Sequence, residues 1–286
     1  MVMDLEKQDL DMQFGKNNLT FVAIWMVTYN HELYIKQAIE SILMQKTSFR
    51  YKLFIGEDFS TDSTREICIK YEKEFPEKIE LILQEKNIGP FLNASSVYKA
   101  CFESEAKYVA MCEGDDYWTD EYKLQKQVDV LEAEPNLSFC CHGVEVKNEI
   151  QGVMFEYSYP NNNIIKFKDI LLPNSHFVPT CSLMFRMSFL PKPFPNWFAA
   201  SKIGDIPLEL MLLDRGDAYF IFEKMACYRR HSSSLTSNKE HLKAGRDSYF
   251  FVYTNLNRHF NYKYWYLFYY KIILNRLGHI KDFFKK

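Results

Sequence analysis

The sequence of 286 residues lacks a long apolar run. No uninterrupted stretch reaches the roughly 18 apolar residues that a membrane-spanning helix needs. Residues 1–18 carry acidic side chains and no apolar core, which argues against a signal peptide and predicts a flexible leader. Together these absences argue against the integral membrane and secreted classes, and we expect a cytoplasmic protein.

Cysteine motifs and a charge excess are also missing. The seven cysteines form no CxxC pair and have no regular spacing, and most of them stand in apolar runs. This pattern argues against a zinc site or a disulfide framework and favours reduced, buried thiols. The formal net charge of −2 gives no reason to expect nucleic acid as a partner.

Apolar runs and helical patterns alternate through the first part of the chain. Four runs of strand length are each followed by a helical pattern, which predicts a parallel, doubly wound α/β sheet flanked by helices. Right-handed crossovers place the carboxyl ends of parallel strands at one edge. We therefore expect one crevice lined by the polar residues that follow the strands: Thr28–Asn30, Glu57–Asp58, Asn87–Gly89 and Glu113–Asp116.

The last of these segments is an acidic turn with three carboxylates, Glu113, Asp115 and Asp116. Like charges this close repel, and enclosure at a strand end removes water from them. A divalent cation relieves both penalties, and protein-bound Mg²⁺ usually combines carboxylates with substrate phosphates. The turn therefore predicts a metal–diphosphate site at Asp115 and Asp116. The alternative is a solvated acidic turn that caps the next helix.

The second half of the sequence is less regular and predicts a mixed region. Strands are expected at 137–146, 151–159, 178–186, 218–222 and 225–228, and helices at 119–134, at 167–172 and after Asp205. Three helix caps are expected, from Asn30, from the Ser63–Glu66 capping box and from Asp205. The expected division is a nucleotide-binding half at 19–118, an acceptor half at 119–240 and a C-terminal helical extension at 241–286.

Five stretches together resemble one known family. They are Thr28–Glu32, Gly56–Thr64, Glu85–Gly89, Cys112–Trp118, and Gly204–Leu208 with Tyr228–His231. In order and spacing the chain looks like a family-2 inverting nucleotide-sugar glycosyltransferase of the bacterial surface-polysaccharide type. The resemblance implies the GT-A fold, which is a Rossmann-like, mostly parallel sheet flanked by helices.

The resemblance also implies roles for individual residues. It implies a nucleotide site formed by Thr28, Tyr29, Glu32, Asp58, Arg65, Asn87 and Asp115. It implies a Mn²⁺ or Mg²⁺ site at Asp116 and His231, and a catalytic base at Asp205. Two positions depart from the family pattern: Phe59 stands where many members have glycine, and Gly204 precedes Asp205 where Glu is commoner. A Gln-x-x-Arg-Trp motif is missing, which argues against a processive synthase.

The implied reaction is an inverting transfer, in which an acceptor hydroxyl attacks the sugar and the nucleoside diphosphate leaves. A carboxylate takes the hydroxyl proton, and a metal stabilises the diphosphate. We expect a hexosyl- or N-acetylhexosaminyltransferase that uses a UDP-sugar donor and a glycan or lipid-linked glycan acceptor. The alternative is a catalytically inactive nucleotide-sugar-binding or scaffold protein on the same fold. Each residue also has a structural alternative: Asp205 as a helix cap, His231 as a loop histidine and Arg65 as a solvated residue.

The last 29 residues combine basic and aromatic side chains. The one acidic residue here is Asp282. The seven basic residues are Arg258, Lys263, Lys271, Arg276, Lys281, Lys285 and Lys286. A helix of this composition can lie on an anionic membrane surface, here the inner face of the cell membrane. The alternatives are packing on the catalytic domain and a homodimer contact.

Overall fold

A mixed sheet of ten strands forms the centre of the part of the chain that the computed structural model describes. That part comprises residues 21–150, 153–155, 162–172, 178–192, 194–232, 234 and 239–283. Numbered along the chain, the strands are β1 (Val22–Thr28), β2 (Tyr51–Glu57), β3 (Ile79–Leu83), β4 (Tyr108–Met111), β5 (Tyr117–Trp118), β6 (Phe139–Asn148), β7 (Val153–Phe155), β8 (Ile164–Ile165), β9 (Met184–Arg186) and β10 (Ala218–Arg230). Their order in the sheet is β3-β2-β1-β4-β9-β6-β10-β5, with β7 paired to β6 and β8 paired to β10. The leader expected at residues 1–18 lies outside the described residues.

The first half alternates strand and helix as expected. β2 and β4 both pair in parallel with β1, and β3 pairs in parallel with β2, so the first four strands all end at one edge. The elements are β1 (Val22–Thr28), α1 (Ile35–Leu43), β2 (Tyr51–Glu57), α2 (Thr64–Glu74), β3 (Ile79–Leu83), α3 (Pro90–Glu103) and β4 (Tyr108–Met111).

The second half adds strands of both directions. β9 is antiparallel to β4 and to β6, so β6 runs in the same direction as β4, and β10 is parallel to β6. The carboxyl end of β10 therefore reaches the same edge as the ends of β1–β4. The elements are β5 (Tyr117–Trp118), α4 (Lys123–Ala133), β6 (Phe139–Asn148), β7 (Val153–Phe155), β8 (Ile164–Ile165), α5 (Phe167–Leu171), β9 (Met184–Arg186), α6 (Asp205–Leu213) and β10 (Ala218–Arg230).

Several local predictions for this half were wrong. The strand expected at 178–186 is a 3₁₀ turn, Thr180–Ser182, followed by the short β9. The two strands expected at 218–222 and 225–228 are one strand, whose register against β6 shifts twice between Ile221 and Ala226. Of the strand expected at 151–159, the described residues hold only β7.

The three caps also differ from expectation. Tyr34, not Asn30, precedes α1, and the Asn30 side chain instead accepts the N–H of Thr61 at 2.8 Å. Ser63 precedes α2 without a side-chain cap; the carboxylate of Asp62 accepts the N–H of Thr64 in its place. Gly204 is the cap position of α6, and Asp205 is the first helical residue.

The C-terminal extension packs on the sheet domain. It consists of α7 (Lys239–His259) and α8 (Trp265–Phe283), with Asn261 in the connection between them. Phe268 of α8 is 1% exposed, and Leu256 of α7 is fully buried in the same core cluster. The ring of Phe167 on α5 stacks on that of Tyr264, with centroids 3.8 Å apart. None of the described helices is both long and apolar enough to cross a membrane.

Candidate functional site

Three side chains with metal-binding atoms meet at the carboxyl edge: His31 after β1, Asp115 after β4 and His231 after β10. One ligand atom of each lies within 4.8 Å of the others. His231 Nε2 is 3.0 Å and His31 Nε2 is 3.9 Å from Asp115 Oδ2. His31 Nδ1 lies 3.2 Å from Thr28 Oγ1, and the Tyr34 ring packs on the His231 ring at 4.5 Å. Two imidazole nitrogens and one carboxylate oxygen form a donor set that a divalent transition metal suits.

Burial and neighbouring charges set the protonation of this group. Burial lowers the pKa of His31 below its ordinary value, although the Asp115 carboxylate acts in the opposite direction. Burial raises the pKa of Asp115, but its hydrogen bond with His231 and the charge of His31 outweigh that effect, so the pKa lies below its usual range. A neutral imidazole and an ionised carboxylate are the forms that bind metal.

Asp116 lies outside this three-residue group. It is fully buried, and its Oδ1 accepts the backbone N–H of Arg229 at 2.8 Å. Burial, with the charges of Asp115 and Glu113, raises the pKa of Asp116 well above its ordinary value, which favours a protonated, uncharged side chain. The assignment of Asp116 as a metal ligand stays a prediction, and the geometry favours Asp115 instead. The alternative of a solvated acidic turn does not hold for Asp116, whose side chain is fully buried.

Arg229 fastens the acidic turn to β10. Its Nη1 donates to the backbone carbonyl of Asp115 at 2.6 Å, and its Nη2 donates to Gln37. The guanidinium lies over the rings of Tyr34 and Tyr117, 5.1 and 4.3 Å from their centroids. Arg229 therefore fixes the position of Asp115 relative to His231.

Gly114 allows the acidic turn to approach β1. A Cβ added to Gly114 would lie 2.7 Å from Thr28 Oγ1 and 3.1 Å from Ile35 Cδ1. Both distances are shorter than ordinary contacts between these atoms. Any side chain at this position would require the acidic turn or the Thr28 and Ile35 side chains to shift.

The charge of Asp205 reaches Glu113 of the acidic turn. Burial raises the pKa of Glu113 to about 8, and the charges of Asp115 and Asp205 add to the effect, while a hydrogen bond from Thr180 opposes it. Asp205 must lie near Glu113 to act on it in this way. At the start of α6, Asp205 Oδ1 also accepts the N–H of Ile206 at 2.8 Å. The predicted base therefore lies within electrostatic reach of Glu113 and also accepts a hydrogen bond at its own helix end.

Asp58 and Glu57 organise the other end of the crevice. The Asp58 carboxylate accepts the N–H groups of Ile88 and Gly89 at 2.8 and 2.9 Å, which fixes the loop after β3. Glu57 is fully buried, accepts the N–H of Ser60 at 2.7 Å and pairs with Arg65. The predicted nucleotide residue Asp58 thus already makes two bonds within the protein.

The other predicted nucleotide residues divide into two groups. Thr28 is buried beneath His31, while Tyr29 and Asn87 are exposed at the rim of the crevice. Glu32 accepts the N–H of Ser63 at 3.0 Å, and Arg65 donates to the carbonyl of Gln84 at 2.6 Å, so both support neighbouring loops. The nucleotide-binding roles of these residues stay predictions.

Sequence reasoning assigned no role to His31 or Arg229, and it treated Glu113 only as a member of the acidic turn. All three stand inside the stretches that carry the family resemblance. The available signal was a histidine three residues past the first strand and another after the last. Their meeting depends on the direction of β10, which the sequence did not reveal.

Two solved structures have the same fold. TarS of S. aureus in complex with UDP-GlcNAc superposes with a TM-score of 0.60 at 18% identity, over 81% of this chain and 66% of that one. The mannosyltransferase PcManGT of Pyrobaculum calidifontis, in complex with GDP-Man and Mn²⁺, superposes with a TM-score of 0.55 at 13% identity, over 83% and 64%. Both confirm the GT-A architecture expected from the sequence.

Sequence relatives point in the same direction. The chain is 28% identical to TuaG of Bacillus subtilis, a glycosyltransferase named for teichuronic acid biosynthesis, over 83% of this chain and 88% of TuaG. It is 32% identical to an uncharacterized protein of Mycobacterium tuberculosis over 75% of this chain, and the match spans 60% of that longer protein. The model of glycosyl transferase family 2 matches residues 23–190. The chain therefore belongs to glycosyl transferase family 2.

Proposed function

We propose that this chain is a metal-dependent inverting glycosyltransferase that moves a sugar from a nucleoside-diphosphate donor to a hydroxyl of a growing glycan. The observation that carries the proposal is the meeting of His31, Asp115 and His231 at the sheet edge. The charge of Asp205 acts on Glu113 of the same turn, which supports a proton-accepting group close to the metal-capable one, as an inverting transfer requires.

The donor set favours Mn²⁺ over Mg²⁺ as the cofactor. Mg²⁺ prefers oxygen ligands, whereas two of the three donors here are imidazole nitrogens. Mn²⁺ is also the ion bound in the PcManGT structure. A divalent cation at this position would neutralise charge on the leaving diphosphate. Tyr34 and Arg229 hold the ligands in place, which keeps the site ready for the cation.

Asp205 is proposed as the catalytic base. It stands at the start of α6, where the helix N-terminus favours a negative charge. Its influence on Glu113 supports a position close to the acidic turn and hence to the sugar. The acceptor hydroxyl would give its proton to Asp205 as it attacks the donor.

The donor is proposed to be a UDP-sugar that carries a hexose or an N-acetylhexosamine. TarS was solved with UDP-GlcNAc, which supports UDP, although PcManGT holds GDP-Man. The nucleotide would be surrounded by the loops that carry Thr28, Tyr29, Asp58 and Asn87. The match to TuaG supports an acceptor in surface polysaccharide synthesis, as a free or lipid-linked glycan.

The experiment is a donor-hydrolysis assay by mass spectrometry across a panel of UDP-, GDP- and dTDP-sugars, with Mn²⁺ and with excess chelator. We expect hydrolysis of one donor class that depends on Mn²⁺. Hydrolysis at full rate in chelator would contradict the metal-dependent mechanism. Binding of a nucleotide sugar with no hydrolysis or transfer would favour the inactive binding protein.

A further inference from the structure

We propose that the ring of Phe59 is a platform on which the nucleobase of the donor stacks. The proposal rests on the proposed function, because it assigns a binding role to a residue beside that same crevice. It concerns the position where the chain departs from the glycine found in many members of the resembling family.

Backbone strain marks Phe59. Its φ is +61°, in the left-handed region that favours glycine and disfavours a bulky side chain. Strain of this kind persists only where the surroundings impose it, and it clusters at ligand sites. A glycine here would relieve the strain, so an aromatic ring at this position needs another reason.

The ring is held in one orientation and left accessible. The Arg65 guanidinium lies over one face, 5.1 Å from the ring centroid. Arg65 is itself fixed by the buried Glu57 and by the carbonyl of Gln84. Phe59 nevertheless remains 44% exposed. The ring therefore keeps accessible surface for a ligand although Arg65 lies over it.

Phe59 lies at the crevice, and the residues on either side of it are hydrogen-bonded to the segment at the end of β1. On one side of it, Asp58 donates its N–H to the carbonyl of Thr28 at 3.1 Å. On the other side, the hydroxyl of Ser60 accepts the N–H of Asn30 at 3.0 Å. Phe59 is therefore beside Tyr29, which is 40% exposed, and His31 follows two residues further along that segment. A nucleotide with its diphosphate near His31 would have its base near Tyr29 and Phe59.

The test compares nucleotide affinity with affinity for a ligand that has no base. We would measure binding of UDP and of inorganic pyrophosphate, each with Mn²⁺, by isothermal titration calorimetry of the full chain. The variants are Phe59→Gly and Phe59→Ala, and the matched control is Phe222→Ala, an exposed phenylalanine on β10. Loss of a base–aromatic stack should weaken UDP binding by about 5- to 100-fold.

We expect both Phe59 variants to bind UDP more weakly and pyrophosphate as the wild type does. Phe59→Gly should also melt at or above the wild-type temperature, because glycine tolerates the left-handed backbone. Unchanged UDP affinity in Phe59→Gly, or an equal loss for pyrophosphate, would overturn the platform. Failure of the wild type to bind any nucleoside diphosphate would instead contradict the proposed function, and the platform with it.

Discussion

At the scale of single residues, Asp115 and Asp116 are neighbours in the chain with opposite surroundings. Asp115 has a side chain that is 16% exposed and lies 3.0 Å from His231, and its pKa is lowered. Asp116 is fully buried against the backbone of Arg229, and its pKa is raised. The charge of the acidic turn is thus concentrated on the one carboxylate that faces the two histidines.

The proposed role of Asp205 as a base can be tested separately from its hydrogen bond at the start of α6. Asp205→Asn keeps the size of the side chain and an oxygen for the N–H of Ile206, but the amide cannot accept the proton. We expect a melting temperature near that of the wild type, normal donor binding and a transfer rate lower by about 10²–10⁴. Near-normal transfer by the folded variant would remove Asp205 from the mechanism.

Lys123 is a buried ionisable residue away from the crevice. Its Nζ lies 3.8 Å from the centroid of the Trp118 ring and has no hydrogen-bond partner among the described residues. Burial lowers its pKa to about 7, although nearby thiols, among them Cys112, act in the opposite direction. Folding therefore has to remove the proton that the lysine carries in the unfolded chain, which destabilises the native state.

Lys123→Met should raise the free energy of unfolding at pH 7 by on the order of a few kcal/mol. The native lysine releases its proton near pH 7, whereas the unfolded lysine keeps its proton up to about pH 10.4. The penalty is therefore full below about pH 7 and shrinks as the pH rises toward 10. Urea unfolding at pH 7 and pH 9.5 measures the difference between variant and wild type. A variant less stable than the wild type, or an equal difference at both pH values, would refute this explanation.

At the scale of elements, α8 has two different faces. Phe268 and Lys271 point inward, and Lys271 donates to the carbonyl of Leu172 at 3.1 Å. Lys263, just before α8, pairs with Asp214 at 2.9 Å. The inner face of α8 therefore packs on the domain, which was one of the alternatives for the tail. Trp265, Tyr266, Tyr269 and Tyr270 are each more than half exposed on the outside, so membrane contact and dimerisation remain predictions for that face alone.

Membrane contact predicts that the outer aromatic side chains bind lipid. Trp265→Ser with Tyr269→Ser should reduce pelleting with vesicles that contain anionic lipid at low salt, because Trp and Tyr favour the interface. Both residues are exposed, so the fold and donor binding should be unchanged. Phe222→Ser serves as the control for loss of an exposed ring. Equal pelleting by the double variant and the wild type would retire the membrane prediction.

At the scale of the whole molecule, the site depends on the direction of the strands in the second half. The periodicity of the first half was enough to predict β1–β4, their parallel order and the crevice at their ends, because each strand and helix there has its own local pattern. The antiparallel β9 has only three residues and no such pattern. It nevertheless sets the direction of β6 and β10, and thereby brings His231 to Asp115. The burial of Asp116 was missed for the same reason, since Asp116 accepts its hydrogen bond from the backbone of Arg229 on β10. The contact of His31 with Asp115 was missed because strand periodicity does not give the direction of side chains in the loops that follow.

The most direct test of the account is Mn²⁺ affinity in two matched variants, Asp115→Asn and Asp116→Asn. Each removes one carboxylate with almost no change of size, and Asp116→Asn keeps an oxygen for the N–H of Arg229. Titration of Mn²⁺ in the presence of UDP, followed by electron paramagnetic resonance, measures the bound ion. We expect Asp115→Asn to lose tight Mn²⁺ binding and Asp116→Asn to keep it. Retention by Asp115→Asn with loss in Asp116→Asn would contradict the proposed metal site.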